Sequence, residues 1–517
     1  MGKRGAIQIG QAPCAGNSLA QGGTIIVMFA CVLLVLLGFA GLAIEVGQLL
    51  NRRAEVQTMA DAAALAAARQ LNGTAAGVSA AVAAASDRLT NITDGLTYQY
   101  GHAHANWSDA AIAFAQSANG PWLDSVSASS APQGLGFVKI DTWQLDSAVR
   151  QVPTIFMRIL SSAFDTMTVS VAAVAGPYSI NVTPLAICAM STSPAAAGGS
   201  ELVQYGFRRG ISYDLMQLDP NDTDGIGANY LIDPIAPPGT TGAAADFAMA
   251  TVQPFVCTGS LAMPRVSGGQ ITVQGPFPLG SLYSQLNSRF GTYSAPCNAI
   301  TAPPDKNVKP YSVATFFGTA SAWMNSSTPS LTLQSAAQYP ATASGSAPLW
   351  TYADQSPLPA GTGPDKYGPL WAYARAVPYS AYSPGVPEPA AGYTPFPASQ
   401  ASWNSLYPVN TGGGSPSLKT SVYPSTSTSN PSGTPYQASS GNFYQAAPAG
   451  TTGIAGRRVL NVALLSCPVP SGSSTSATVL AVAKFLMTVP ADANHLYAEF
   501  GGLAPEPSLS GNLELQQ

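Results

Sequence analysis

The sequence predicts an α+β protein: an N-terminal transmembrane helix continues into a helical stalk, and a mixed sheet domain interrupted by a large loop-rich insertion follows. Three observations predict this. Thr24 to Ile44 carries no charge, and about 20 apolar residues suffice to cross a bilayer as a helix. From Glu45 to Leu71 no proline occurs and Ala, Leu, Gln, Glu and Arg dominate, all good helix formers. Strand-like runs then cluster near 137–188 and again near 459–501, with a Pro/Ser/Gly-rich stretch between them.

The elements follow in order. Residues 1–21 form a short polar cytoplasmic leader, 22–46 the transmembrane helix and 47–91 an Ala-rich stalk. In the stalk Val46, Leu49, Val56, Ala60, Ala63 and Ala67 recur at three-and-four spacing. Ala60, Ala64 and Ala68 place small side chains on one line, and so do Ala43 and Gly47. Such lines let two helix backbones approach closely, within the chain or between copies; alanine as plain helix filler is the alternative. Asp61, one position from this line, is expected to be solvated or paired with a partner's basic residue. Gly73 breaks the helix, and Ala75–Leu89 forms a second one that folds back along the first.

Residues 92–200 hold the first part of the extracytoplasmic domain: strands at 137–140, 167–175 and 184–188, with an amphipathic helix over 152–164. Residues 201–310 read as a turn-rich insertion with short strands at 252–257 and 271–275. Residues 311–455 are Pro/Ser/Gly/Tyr-rich loops, poor in aliphatics but carrying Trp323, Trp350, Trp371 and Trp403, and are read as loops draped on a neighbouring surface. Three strand-like runs in 456–503 complete the sheet begun at 137–188, and 504–517 is a polar tail.

Gly41-Leu42-Ala43-Ile44-Glu45-Val46-Gly47, then Arg53, Gln57 and Ala60-Asp61-Ala62-Ala63-Ala64-Leu65-Ala66, resembles the N-terminal segment of Tad-type (tight adherence) Flp pilus-assembly proteins of the TadE/TadG-like group. Glu45 stands where that family usually has Asp. The resemblance covers roughly fifty of the 517 residues. It implies a single-pass protein of the bacterial inner membrane with its bulk outside the cytoplasm, whose partners are the bilayer and other Tad/Flp pilus-assembly proteins, with self-association through the stalk as a further expectation.

Composition narrows the function classes. Charged residues make up 9%, against about 25% in ordinary soluble domains. A net charge of −4 offers no basic footprint for nucleic acid. Cys14 precedes the span and Cys31 lies in it, while Cys188, Cys257, Cys297 and Cys467 lie beyond it. An even number there fits an oxidising compartment and two disulfides. Cys257 and Cys297 flank one turn-rich segment and are paired. Cys188 and Cys467 each end a strand-like run of the same sheet and are paired. Lys3 and Arg4 before the span nearly balance Arg52 and Arg53 after it, so the cysteines and the resemblance favour a cytoplasmic N-terminus. Cleavage after Gly41-Leu42-Ala43 is the rival, but the apolar run is long for a signal core.

Chemistry is sparse. His102-x-His104 with Asp109 nearby admits a metal site, and the acidic run at 219–225 has the look of a calcium loop without its closing Glu. Exposed loop histidines and an Asx turn explain both equally well. His495 reads as a satisfied neighbour of the sheet. The nucleophile-elbow, Walker, HExxH and Rossmann patterns do not occur. The expectation is therefore a non-enzymatic, cofactor-free, membrane-anchored assembly component. A surface adhesin using the aromatic-rich region, or an anchored hydrolase, is the alternative.

Overall fold

The computed structural model describes residues 21–90, 106–160, 162–198, 201–216, 218, 229–311, 336–338, 350–352, 372–389, 392–395, 434–470 and 472–516. Helix α1 (Gln21–Ala68) is continuous for 48 residues, or roughly 70 Å at 1.5 Å per residue. It ends where Asn72 Oδ1 accepts from the Thr74 amide and hydroxyl and Gly73 takes a positive φ of 75°. A side chain at 73 would also collide with the Pro238 carbonyl. Helix α2 (Ala75–Thr90) then packs back along α1, burying Gly77, Val78, Ala81, Ala85 and Leu89.

The helical pair lies on a four-stranded antiparallel sheet built from β1 (Ile112–Ala115), β2 (Phe137–Asp141) and β5 (Ala172–Ile180), in the order β1-β2-β5-β18, where β18 is Ser510–Gln516. Short helices α3 (Ser125–Ser130) and α4 (Ser147–Arg150) sit in its connections. A small hairpin of β3 (Gln151–Pro153) and β4 (Thr166–Thr168) carries the one-turn helix α5 (Met157–Leu160) at its tip. One core joins the stalk alanines to Ile112, Phe114, Val138, Ile140 and Ala175.

The second sheet has seven strands. It takes β6 (Leu185–Cys188), β10 (Ser212–Asp214), β11 (Asn229–Ile232), β12 (Gln270–Gln274), β15 (Val459–Leu465), β16 (Thr475–Met487) and β17 (Tyr497–Leu503). Strand β15 runs parallel to β6 and antiparallel to β16, while β16 also pairs β12, β12 pairs β11, and β11 pairs β6. These five strands close into a ring, which removes the exposed edges of an open sheet. Strands β17 and β10 continue from the second half of β16. A three-stranded sheet of β7 (Ala196–Gly198), β8 (Glu201–Gln204) and β9 (Phe207–Arg208), the pair β13 (Ala336–Gln338) and β14 (Trp350–Tyr352), and helices α6 (Met249–Thr258) and α7 (Leu279–Leu286) complete the described elements used below.

The chain is α+β with a mixed sheet, and four expectations for its elements are corrected. The single sheet becomes two: the backbone turns at 181–184, so 137–141 and 172–180 pair with 510–516 while 185–188 enters the ring. The polar tail is thus a helical turn, Glu506–Leu509, and a strand. The 201–310 stretch is not an insertion outside the sheet, since it supplies β10, β11 and β12. Residues 252–257 are helical: Val252, Val256 and Cys257 are buried, a spacing that fits one helix face rather than strand alternation. Finally, 152–164 is the tip of a hairpin rather than one helix, with the Thr154 hydroxyl closing it onto the Phe164 carbonyl.

Candidate functional site

From Ile26 to Ile44 the side chains of α1 are almost wholly exposed, among them Phe29, Leu34, Leu36 and Phe39. Mean hydropathy of this span reaches 2.8 over its most apolar window. Exposed apolar surface on this scale is far beyond what a soluble monomer leaves open. Beyond Arg52 the same helix is buried on one face. The environment of α1 therefore changes over a few residues, and Glu45 lies at the change.

Glu45 is buried. Its carboxylate accepts from the backbone amides of Ile155, Phe156 and Met157, the last at 3.0 Å to Oε2. It thereby satisfies the free N–H groups at the start of α5. One turn earlier, Gly41 is buried under the Phe156 ring; a Cβ there would lie 2.4 Å from that ring. Gly41 and Glu45 together dock the hairpin tip onto the end of the apolar span. The sequence reading noticed Glu45 only as a variant of Asp. A lone carboxylate closing an uncharged span was the available signal, since such a group needs donors when buried.

In the stalk, Val56, Ala60, Ala63, Ala64, Ala67 and Ala68 are fully buried against α2, β2 and β5 of the same chain. The structure thus places Ala60, Ala64 and Ala68 in an intramolecular contact. Ala43 and Gly47 face outward, with nothing within 4 Å of a Cβ built at Gly47. Asp61 is half-buried and accepts from Gln57 Nε2 at 2.7 Å, one turn earlier in its own helix. The turn after α1 is tied to the ring: Asn72 donates to the Ser267 carbonyl at 3.1 Å and Arg265 to Gln70 Oε1 at 2.8 Å.

Disulfides join Cys188 to Cys467, across the parallel strands β6 and β15, and Cys257 to Cys297, from the end of α6 to the loop beyond α7. Cys31 is a free thiol on the exposed face of the span. His495 Nδ1 lies 2.7 Å from Asp214 Oδ2, and its ring stacks on Tyr497. Burial raises the Asp214 carboxyl above its usual range. His102, His104 and the run at 219–225 lie outside the described residues, as do Cys14, Trp323, Trp371 and Trp403. Among the described residues no group of three or more His, Cys, Asp or Glu side chains could hold a metal ion.

Buried charge organises the middle region. Glu201 and Arg208 pair at 2.8 Å in full burial. The Arg458 guanidinium donates to the carbonyls of Asn307, Lys309, Met487 and Thr488. The Glu499 carboxylate accepts from the amides of Ala372, Tyr373 and Ala374 at 2.8–3.0 Å. These contacts hold the described loops of 305–311 and 372–389 on the ring. They also bound an open polar cleft of about 370 Å³ lined by Arg209, Tyr373, Arg375, Glu388, Tyr393 and Lys484. Arg209 pairs with Glu388 at 2.7 Å, and burial lowers the Lys484 ammonium. Arg208 and Arg209 were visible in the sequence only as a basic pair, because their acidic partners lie seven and 179 positions away.

Residues 23–70 match the family described as putative Flp pilus-assembly TadE/G-like. The match spans the exposed span, Glu45 and the buried stalk face, and the rest of the chain lies outside it. No curated protein and no solved structure matches the chain.

Proposed function

Taking the TadE/G-like segment at residues 23–70 as the premise, we propose that this protein is a non-enzymatic, membrane-anchored component of a Tad/Flp pilus-assembly or tight-adherence secretion system. A pilus-assembly-related role follows from the segment itself. The observation that carries the finer reading is the change of environment along α1: a fully exposed apolar span joined without a break to a stalk buried in the chain's own folded part. A rigid helix of this kind fixes the folded part at a set distance from the bilayer. In this reading the protein is single-pass in the bacterial inner membrane, its N-terminus is cytoplasmic, and its bulk is periplasmic. Disulfides in that bulk support an oxidising compartment. The outward face bearing Ala43 and Gly47 is available to other anchored helices of the assembly or to a second copy.

Deleting the protein in its host should abolish or reduce surface pili, and the full-length chain should restore them. Extraction in mild detergent should co-purify other pilus-assembly proteins. Normal piliation in the deletion strain, with no such protein retained, would reject the assembly role. Protease added to the periplasmic side should remove the bulk of the chain and leave the anchor; protection of the bulk would reverse the orientation.

A second reading rests on the polar cleft. Three cationic side chains, one carboxylate and flanking tyrosines in an open recess suit an acidic or polar surface group. In that reading the protein is an adhesin or binding module. Charge reversal at Arg375 and Lys484 that abolishes adhesion but leaves piliation intact would favour it over the assembly role.

A further inference from the structure

We infer that the β3–β4 hairpin tip, residues 154–165, is a second membrane-contact element that enters the leaflet on the side of the folded bulk and holds a lipid acyl chain against α1. This rests on the anchor reading above and adds to it.

Three observations carry it. The tip presents large apolar side chains outward: Ile155 is 66% exposed, Phe156 37% and Phe164 46%. They are not scattered over the surface, because the docking of Phe156 on Gly41 and of the Met157 amide on Glu45 fixes their height along α1. Glu45 is the first charged residue after the uncharged span. Gly41 lies four residues deeper, which is roughly 6 Å at 1.5 Å per residue. Segments that lie in the interface bury their apolar faces about 5–10 Å below the headgroups. The Phe156 ring therefore sits at the depth of such a segment whenever α1 spans the bilayer.

The tip and the helix also enclose a groove. It measures about 580 Å³ and is lined by Leu34, Leu37, Phe39, Leu42, Phe156 and Met157, with Glu45 at its upper end. From Leu34 to Glu45 it runs eleven residues, or roughly 16 Å. That is about the depth of one leaflet of a hydrocarbon core roughly 30 Å thick. An extended acyl chain fits this length and this apolar lining. The groove opens on the same face of α1 that the bilayer must solvate, so its apolar wall continues the lipid-facing surface without interruption. Arg158, with its exposed ion pair to Asp165, stands beside the tip, where a long cationic side chain can reach lipid phosphate.

The test uses the full-length protein in lipid nanodiscs, with Cys14 and Cys31 replaced by Ser and an environment-sensitive NBD fluorophore placed singly on Ile155→Cys, Phe164→Cys, Leu36→Cys or Val126→Cys. Leu36 reports on the span and Val126 on a water-facing helix of the folded part. The expected result is that fluorophores at 155 and 164 emit blue-shifted relative to 126. They are quenched by doxyl groups near the top of the lipid chains, and aqueous iodide has little effect on them. Iodide quenching at 155 and 164, with 36 remaining in lipid, would overturn the inference and leave the anchor standing. Iodide quenching at 36 as well would remove the anchor reading and this inference together. Protection of 155 and 164 from both quenchers would mean that protein covers the tip, a second copy in the purified system, and would also overturn it.

Discussion

At the scale of single residues, buried carboxylates do the positioning. Glu45 receives three backbone amides from the hairpin tip, and hydrogen bonds to a charged group contribute about 1.5–3 kcal/mol each. Glu45→Ala should therefore release the tip locally. Hydrogen exchange at the amides of residues 155–157 should accelerate by at least tenfold, while amides in β2 and β5 keep their protection; unchanged exchange at 155–157 would mean the tip is held by Phe156 packing alone. Glu499 is a different case. Full burial pushes its carboxyl up to about 7, against three backbone amides that favour the charged form. Between the unfolded value near 4.5 and about 7, the folded chain keeps a proton that the unfolded chain has released. Stability should therefore fall as pH rises through that window, by roughly 3 kcal/mol at most. Thermal midpoints in detergent between pH 5 and 7.5 should decline for the parent and stay flatter for Glu499→Gln; parallel slopes would place the titration elsewhere.

At the scale of elements, α1 is one helix with two solvents. Its first half needs lipid, and its second half is solvated by its own chain. Small side chains suit the second half because α2 and the sheet approach closely. Ala64 is fully buried in that contact, so Ala64→Leu, which barely changes helix propensity, should cost roughly 1–3 kcal/mol by overpacking. Denaturant midpoints in detergent should drop accordingly. An unchanged midpoint would show that the stalk face yields readily. The effect is placed on folding rather than on partner binding, because the residues covering Ala64 belong to this chain. The hairpin of β3 and β4 teaches the complementary point. Its apolar residues read as a helix in the sequence, yet their partners are Glu45 and Gly41, more than a hundred positions earlier.

At the scale of the whole molecule, the ring and the four-stranded sheet are both closed by strands from the far end of the chain. β15 and β16 complete the ring started by β6, and β18 completes the sheet started by β1. The Cys188–Cys467 bond lies across β6 and β15, 279 positions apart. A cross-link over so long a loop stabilises by about 4–5 kcal/mol through the entropy of the unfolded chain. The double variant Cys188→Ala/Cys467→Ala should lose most of that in urea unfolding and keep the Cys257–Cys297 bond in non-reducing peptide maps. A loss below about 1 kcal/mol would show that strand pairing alone fixes the closure.

The anchor, the helical hairpin of 21–90 and the strands near 137, 185, 270, 459 and 478 were legible in the sequence, because each depends on local pattern: an uncharged run, a helix-forming run broken at Gly73, or a short β-branched stretch. The α+β class follows from those patterns together. The split into two sheets was not legible, since pairing partners of β6 and β5 lie hundreds of residues away and a strand's own residues do not name its neighbour. The strand at 510–516 was hidden by its polar composition, with only Leu513 and Leu515 alternating. Helix α6 was hidden by an apolar run whose period shows only once its buried face is seen. The use of Glu45 as the seat of the hairpin tip was decided by tertiary structure alone: local sequence can supply a carboxylate at the end of a span, but only the folded chain brings it three backbone amides.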